Sequence, residues 1–218
     1  MRGGAPTLVW AFAIAFVAIE IVLSLSDTGV LVRGLRPWAY THFGFFAGRF
    51  EAAQSGQLVP LSFYLTFVSH AFLHGGFVHL FMNTAIFLAL GAHLGRAVGA
   101  LATILLFLGT AVGGALAFGL LTPTDQQFIP MVGASGGIFG LFGAMKRWEW
   151  RFVTRHGLPR RRFWTTILVL VGINLVLAIG SAGVGGGVAW EAHLGGFIAG
   201  WLAAGALTPR PGTSVGPL

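Results

Sequence analysis

Six long apolar segments constrain the fold of this chain more than any other feature of its sequence. They cover residues 8–25, 77–94, 97–121, 131–144, 163–180 and 188–207. Only 9% of the 218 residues are charged, whereas a soluble domain carries about 25%. So few charges cannot cover a surface that faces water, and the mean hydropathy is +0.82. The sequence therefore predicts an all-α membrane protein with six transmembrane helices in a compact bundle embedded in the lipid bilayer.

The segments between the apolar runs predict how this bundle is connected. Residues 27–60 mix charges with aromatic side chains, which favours a structured external loop between the first two helices at the membrane interface. Residues 61–76 predict a helix or turn that leads into the membrane, and residues 181–187 predict a glycine-rich turn. A single domain is expected over residues 1–207, followed by a short disordered tail at residues 208–218.

The positive charges predict the orientation of the bundle. A short turn is expected at Gly95 and Arg96, and a basic loop at residues 146–162 holds seven of the 13 Lys and Arg residues. With six spans, ten of the 13 basic residues fall on the side that both termini share. Cytoplasmic loops carry such an excess, so both termini are expected in the cytoplasm.

The same features bound the location and the partners. The clustering of basic residues fits a cytoplasmic loop better than a nucleic-acid surface, and no nucleic-acid partner is expected. The chain has no cysteine, which excludes disulfides and thiolate metal sites. Because no transit-like leader precedes the first span, we expect a multi-pass protein of a bacterial inner (plasma) membrane.

Four polar residues lie near the beginnings of the second, fourth and sixth spans. They are His79, Asn83, Ser135 and His193. Each has an ordinary interpretation: a serine can bond a carbonyl one turn back, a histidine can bridge helices, and an asparagine can join helices. These three spans run in the same direction, however, so all four residues fall at one depth in the outer half of the bilayer. Such convergence in so apolar a chain indicates a functional site.

The chemistry that these groups favour is acyl transfer. Ser135 is the candidate nucleophile and His193 the candidate general base. The side chains of His79 and Asn83 and the backbone N–H of Ser135 can stabilise an oxyanion. Glu191 is two residues before His193 and is expected on another face, toward solvent. The sequence therefore predicts a Ser–His dyad, with no metal and no cofactor.

The chain resembles the rhomboid intramembrane serine proteases of the six-span bacterial type over about residues 60–207. The matching residues are His74, His79, Asn83, Gly133, Ser135, Gly136, Ala192, His193, Gly195, Gly196 and Gly200. The resemblance implies the same dyad and the same oxyanion donors. It also implies single-span membrane proteins as substrates, cut within or next to their transmembrane segment. Water would reach the site through a cavity open to the outer side, capped by the loop before the sixth span.

Three positions depart from patterns found in this family. Leu65 and Thr66 stand where many relatives have a Trp-Arg pair, so the contacts of the external loop are expected to differ. Phe139 replaces a tyrosine of some relatives, and its ring can still stack on the base. Gly95 stands near the place of a glutamate in some members. None of these departures removes a catalytic group.

Small residues predict a close contact between the fourth and sixth spans. The glycines of the fourth span are Gly133, Gly136, Gly137 and Gly140, and those of the sixth are Gly196 and Gly200. Glycines at such spacing let two transmembrane helices approach closely. We therefore expect these two spans to bring Ser135 and His193 together.

Three alternatives remain open from the sequence. The chain could be a catalytically silent relative that binds transmembrane helices without cutting them. It could be a haem-binding or metal-binding membrane protein that uses His70, His74, His79 and His193. It could also be a small transporter with a polar site, although the segments show no inverted repeat.

Overall fold

The computed structural model describes residues 5–180, 187–210 and 212–213, and these residues form an all-helical fold. The helices are α1 (Thr7–Asp27), α2 (Leu35–Phe43), α3 (Ala47–Gln54), α4 (Thr66–Ser69), α5 (Phe77–Val98), α6 (Ala100–Leu121), α7 (Ser135–Arg155), α8 (Arg161–Gly180) and α9 (Trp190–Ala203). Helix α4 lies between two 3₁₀ turns, Leu61–Leu65 and His70–Phe72. Most of the glycine-rich turn predicted at residues 181–187, and most of the tail predicted at 208–218, lie outside the described residues.

Four of these helices are long and apolar enough to cross a membrane. They are α1, α5, α6 and the 161–179 part of α8. The expectation of an all-α membrane protein is therefore confirmed. Helix α7 is long enough, but its second half carries charges, and α9 has only 14 residues. The predicted second, third and fifth spans begin within three residues of the observed first residues of α5, α6 and α8.

Two predicted boundaries are wrong. The turn expected at Gly95 and Arg96 lies instead at Gly99, whose φ of 93° glycine adopts readily and other residues rarely. The fourth helix begins at Ser135 rather than at residue 131, and it continues to Arg155 through most of the segment predicted as a basic loop. The helix continues because this segment is amphipathic, and its apolar side chains pack on the rest of the fold.

The second half of α7 is stabilised by buried polar contacts. Lys146 and Glu149, one turn apart, form a buried ion pair. The indole N–H of Trp148 donates to the carbonyl oxygen of Ala204 at 3.2 Å. A buried charge pair satisfies groups that would otherwise be costly to place in this interior.

The centre of the bundle is an aromatic core between α1, α5 and α6. Phe16, Phe87 and Phe107 are fully buried. The rings of Phe16 and Phe87 lie 5.3 Å apart, and those of Phe87 and Phe107 lie 4.9 Å apart. Edge-to-face contacts of this kind stabilise a core beyond the area that the rings bury. Helix α1 approaches α5 closely because Gly95 of α5 faces Pro6 at the beginning of α1.

Glycines make the contact between α7 and α9. A Cβ atom at Gly196 would collide with the carbonyl oxygen of Gly136, and one at Gly200 would collide with that of Gly140. The predicted close approach of the two helices is therefore confirmed. Of the other two glycines predicted for this contact, Gly137 faces Phe107 of α6, and Gly133 lies before α7 and faces His79.

The segment between α1 and α5 is structured, as predicted, and is tied to α1 by charge. The guanidinium of Arg36 bonds the fully buried carboxylate of Glu20 at 2.9 Å and the exposed carboxylate of Asp27 at 2.6 Å. Leu65 is exposed, and the hydroxyl of Thr66 donates to the nearby carbonyl of Phe63. The ion pairs of this segment therefore come from Arg36.

Helix α8 is the most loosely packed of the long helices. Most of its apolar side chains are exposed, including Leu168, Val171 and Val176. Near its first residues, the ring of Phe163 lies 5.1 Å from Trp150 and 6.2 Å from Trp201. Farther along α8, the amide of Asn174 contacts His193 of α9.

Candidate active site

Ser135 is the first residue of α7, and the chain that leads to it is fixed by backbone hydrogen bonds. Met131 exchanges two bonds with Phe45, of 2.8 and 3.1 Å. The N–H of Gly133 donates to the carbonyl of His70 at 2.9 Å. Gly133 has a φ of 125°, which favours glycine, so the turn into the helix depends on this residue.

The N-terminus of α7 offers backbone donors beside Ser135. The first N–H groups of a helix lack partners within the helix. No side chain caps this end, where Ala134 holds the capping position. The helix dipole also places partial positive charge here. Together these groups favour a negative charge that develops near Ser135.

The ring of His79 lies against this turn, and a hydrogen bond shows which of its nitrogens carries the proton. The N–H of Gly75 donates to Nδ1 of His79 at 3.2 Å. Because Nδ1 accepts, the proton of a neutral ring lies on Nε2. A Cβ atom at Gly133 would lie 2.8 Å from Nε2 of His79 and 3.8 Å from Oγ of Ser135. Both groups therefore lie beside the position that a side chain at residue 133 would occupy, and such a side chain would collide with the ring of His79.

Asn83 lies one turn after His79 and is buried. Its amide nitrogen donates to the carbonyl of His79 at 3.0 Å. This bond uses one amide hydrogen, so the second remains for another acceptor. His74 is fully buried, and its ring stands edge-on to His79 at 5.3 Å. The carbonyl of His74 accepts bonds from Arg36 and Tyr40, at 3.0 and 2.7 Å.

His193 lies in the first turn of α9 and stacks on α7. Its ring is parallel to that of Phe139, with centroids 4.2 Å apart and planes 4° apart. Phe139 follows Ser135 by four residues, so the ring of His193 lies about one helical turn from the serine. The stack that the sequence predicted for Phe139 is present.

The glycines beside these residues bring three helices together. A Cβ atom at Gly114 of α6 would lie 2.8 Å from the carbonyl oxygen of Ala192 and 3.4 Å from Cα of Gly136. Gly136 directly follows Ser135, and Ala192 directly precedes His193. The helices that carry the two residues therefore meet where no larger side chain fits.

Two features near His193 were not predicted from the sequence. Nδ1 of His193 lies 2.6 Å from Oδ1 of Asn174 in α8. Asn174 is an isolated amide in an apolar run, and nothing in its sequence spacing predicts this contact. Glu191, expected toward solvent, is buried with 5% of its surface exposed, because the first turn of α9 packs into the bundle.

Among the four histidines of the haem alternative, His74 and His79 are neighbours, and the other contacts of His70, His79 and His193 are with different groups. Nδ1 of His70 lies 2.8 Å from the carbonyl of Thr66. His79 accepts from Gly75, and His193 contacts Asn174. Among the residues that the structure describes, no three His, Cys, Asp or Glu side chains gather as a metal site.

Fold and site together define an all-helical membrane protein with a serine at an uncapped helix N-terminus, beside two histidine rings. The family model described as a Rhomboid domain matches residues 62–210, so the chain belongs to the rhomboid family. This confirms the family that the sequence motifs indicated.

Three relatives illustrate the similarity. The chain is 34% identical over 142 residues to RHOMBOID-like protein 4 of Arabidopsis thaliana, and this match covers 64% of this chain and 33% of that protein. It is 26% identical over 216 residues to Rhomboid protease GluP of Bacillus subtilis, and this match covers 97% of this chain and 37% of that protein. It is 30% identical over 210 residues to an uncharacterized Mycobacterium tuberculosis protein, and this match covers 91% of this chain and 73% of that protein. The chain thus spans about a third of the length of the first two relatives.

Proposed function

We propose that this chain is an intramembrane serine endopeptidase that cuts single-span membrane proteins within or next to their transmembrane segment. The observation that carries the proposal is the meeting of three groups at the beginning of α7. Nε2 of His79 lies beside the turn at Gly133, and the ring of His193 stacks one turn from Ser135. The relative GluP is itself named a rhomboid protease.

In the proposed reaction, Nε2 of His193 accepts the proton of the Ser135 hydroxyl as Oγ attacks the scissile carbonyl carbon. The carbonyl oxygen becomes an oxyanion, stabilised by the Ser135 N–H, Nε2–H of His79 and the free amide hydrogen of Asn83. The imidazolium of His193 then protonates the leaving amine, and the C–N bond breaks. A water molecule, deprotonated by the same nitrogen, hydrolyses the acyl-enzyme and restores Ser135.

The proposed topology has six spans, with the first half of α7 and with α9 added to the four long apolar helices. Hydrolysis needs water, which hydrocarbon excludes, so the site must face a hydrated cavity walled by helices. The excess of basic residues on the side of both termini supports a cytoplasmic location for that side. The site would then open to the outer side of a bacterial inner membrane.

Cleavage of a single-span reporter tests the proposal. The purified protein is reconstituted in liposomes with a fluorescent reporter whose transmembrane segment contains small residues. We expect cleavage by the unmodified protein and none by Ser135→Ala or His193→Ala. Ser69→Ala is the matched control, because its hydroxyl bonds the carbonyl of Phe43 outside the site. Reporter binding without cleavage by the unmodified protein would instead support a catalytically silent relative.

A further inference from the structure

We infer that Asn174 is a positioning residue that fixes the tautomer and the orientation of His193. This inference rests on the proposed function, in which His193 is the base. It changes the site from a Ser–His dyad to a Ser–His–Asn arrangement, with the third member supplied by α8. Nδ1 of His193 lies 2.6 Å from Oδ1 of Asn174.

The hydrogen bond determines which ring nitrogen can act. A carbonyl oxygen such as Oδ1 only accepts, so Nδ1 of His193 must donate and carries the proton. The lone pair of the neutral ring then lies on Nε2, the nitrogen that the proposed reaction uses. Which nitrogen of a histidine is protonated is commonly set by the partner of the other nitrogen.

Stacking alone leaves the ring of His193 underdetermined. The contact with Phe139 fixes the plane of the imidazole, because the two rings are parallel within 4°. A half-turn of the ring about its Cβ–Cγ bond would exchange Nδ1 with a carbon atom and keep the ring in the same plane, so the stack would remain. The bond to Asn174 distinguishes the two orientations. Phe139 and Asn174 therefore restrict different degrees of freedom of the same side chain.

The position of Asn174 explains why an amide takes this role. Its neighbours Ile173 and Leu175 are exposed, in a helix that is long and apolar enough to cross a membrane. Asparagine is the only amide in the predicted fifth span at residues 163–180. An ionised carboxylate at this depth would be costly, whereas an amide supplies the acceptor without a charge.

Two independent readouts test this inference. Ring ¹⁵N NMR of the histidine-labelled, detergent-solubilised protein reports the tautomer of His193, assigned by the signal that His193→Ala loses. The rate at which a fluorophosphonate labels Ser135 reports the activation of the serine. Both are measured for Asn174→Leu, Asn174→Ala and Asn174→Asp, with Leu175→Ala as the control on the exposed face of α8.

We expect a single tautomer with the proton on Nδ1 in the unmodified protein, in Asn174→Asp and in Leu175→Ala. Asn174→Leu and Asn174→Ala should give mixed tautomers and labelling slowed about 10–100-fold, a part of what a positioned base contributes. Asn174→Asp should restore most of the rate, because its carboxyl oxygen also accepts from Nδ1.

Three results would overturn the inference. They are a proton on Nε2 in the unmodified protein, an unchanged tautomer in both apolar variants, or unchanged labelling in a monodisperse sample of either apolar variant. Absence of labelling in the unmodified protein is a different result, because it contradicts the proposed function. The NMR measurement needs no catalysis and remains decisive for Asn174 in that case.

Discussion

The ring of His193 lies flat on the ring of Phe139, with centroids 4.2 Å apart. This contact joins the helix of the proposed base to the helix of the proposed nucleophile. Phe139 lies one turn from Ser135, so any change in the stack moves the base relative to the serine. The relationship depends on an aromatic face and needs no hydroxyl group on it.

Replacing Phe139 tests the role of this stack. Phe139→Leu should slow fluorophosphonate labelling of Ser135 about 2–10-fold, since a ring pair contributes about 0.5–1.5 kcal/mol. Phe139→Tyr should keep the rate, because the ring face is preserved. Equal rates for the leucine variant and the unmodified protein would show that the stack does not position His193.

Gly196→Val tests the close contact of α7 with α9. The new side chain would collide with the carbonyl of Gly136 and push the two helices apart, at a cost of about 1–3 kcal/mol in the free energy of unfolding. We expect a protein that still inserts into the membrane, with a lower melting temperature and much slower reporter cleavage. Gly109→Val is the control, because nothing lies within 4 Å of that position. Normal cleavage by a folded Gly196→Val protein would contradict the packing account.

His79→Ala tests the oxyanion donor. Loss of one donor should lower kcat about 10²–10³-fold and leave KM for the reporter nearly unchanged, because the bond forms mainly in the transition state. His93→Ala, in the same helix outside the site, serves as the control. A change confined to KM would assign His79 to substrate binding instead.

Arg36→Met tests the attachment of the α2 segment. Arg36 bonds the buried carboxylate of Glu20 and the carbonyl of His74, which precedes His79 by five residues. Leaving Glu20 without its partner should lower the free energy of unfolding by about 3 kcal/mol. Arg33→Met, at an exposed position of the same segment, should have little effect in a thermal unfolding assay. Similar melting temperatures for both variants would contradict the importance of the ion pair.

The sequence predicted those parts of the fold that depend on local composition. Long apolar runs predicted the helices α1, α5, α6 and α8, because a backbone in hydrocarbon must satisfy its own hydrogen bonds. Motif spacing indicated the family, and glycines at four-residue spacing predicted the contact of α7 with α9. Hydropathy failed at residues 146–155, where a charged, amphipathic stretch looked like a loop but continues α7.

The parts that escaped prediction depend on contacts between distant segments. Asn174 and His193 are 19 residues apart on different helices, so no periodicity indicates their bond. The ion pair of Arg36 with Glu20 likewise depends on how the α2 segment folds back on α1. An isolated amide in an apolar span was the available signal for Asn174, since such residues are commonly functional.

Covalent labelling of Ser135 tests the central claim most directly. The purified, detergent-solubilised protein is treated with a fluorophosphonate, and the site of the adduct is located by peptide mass spectrometry. We predict one adduct on Ser135, abolished in both Ser135→Ala and His193→Ala, while Ser135→Ala keeps the melting temperature of the unmodified protein. No adduct on Ser135 in a folded, monodisperse sample would contradict the claim that His193 activates this serine.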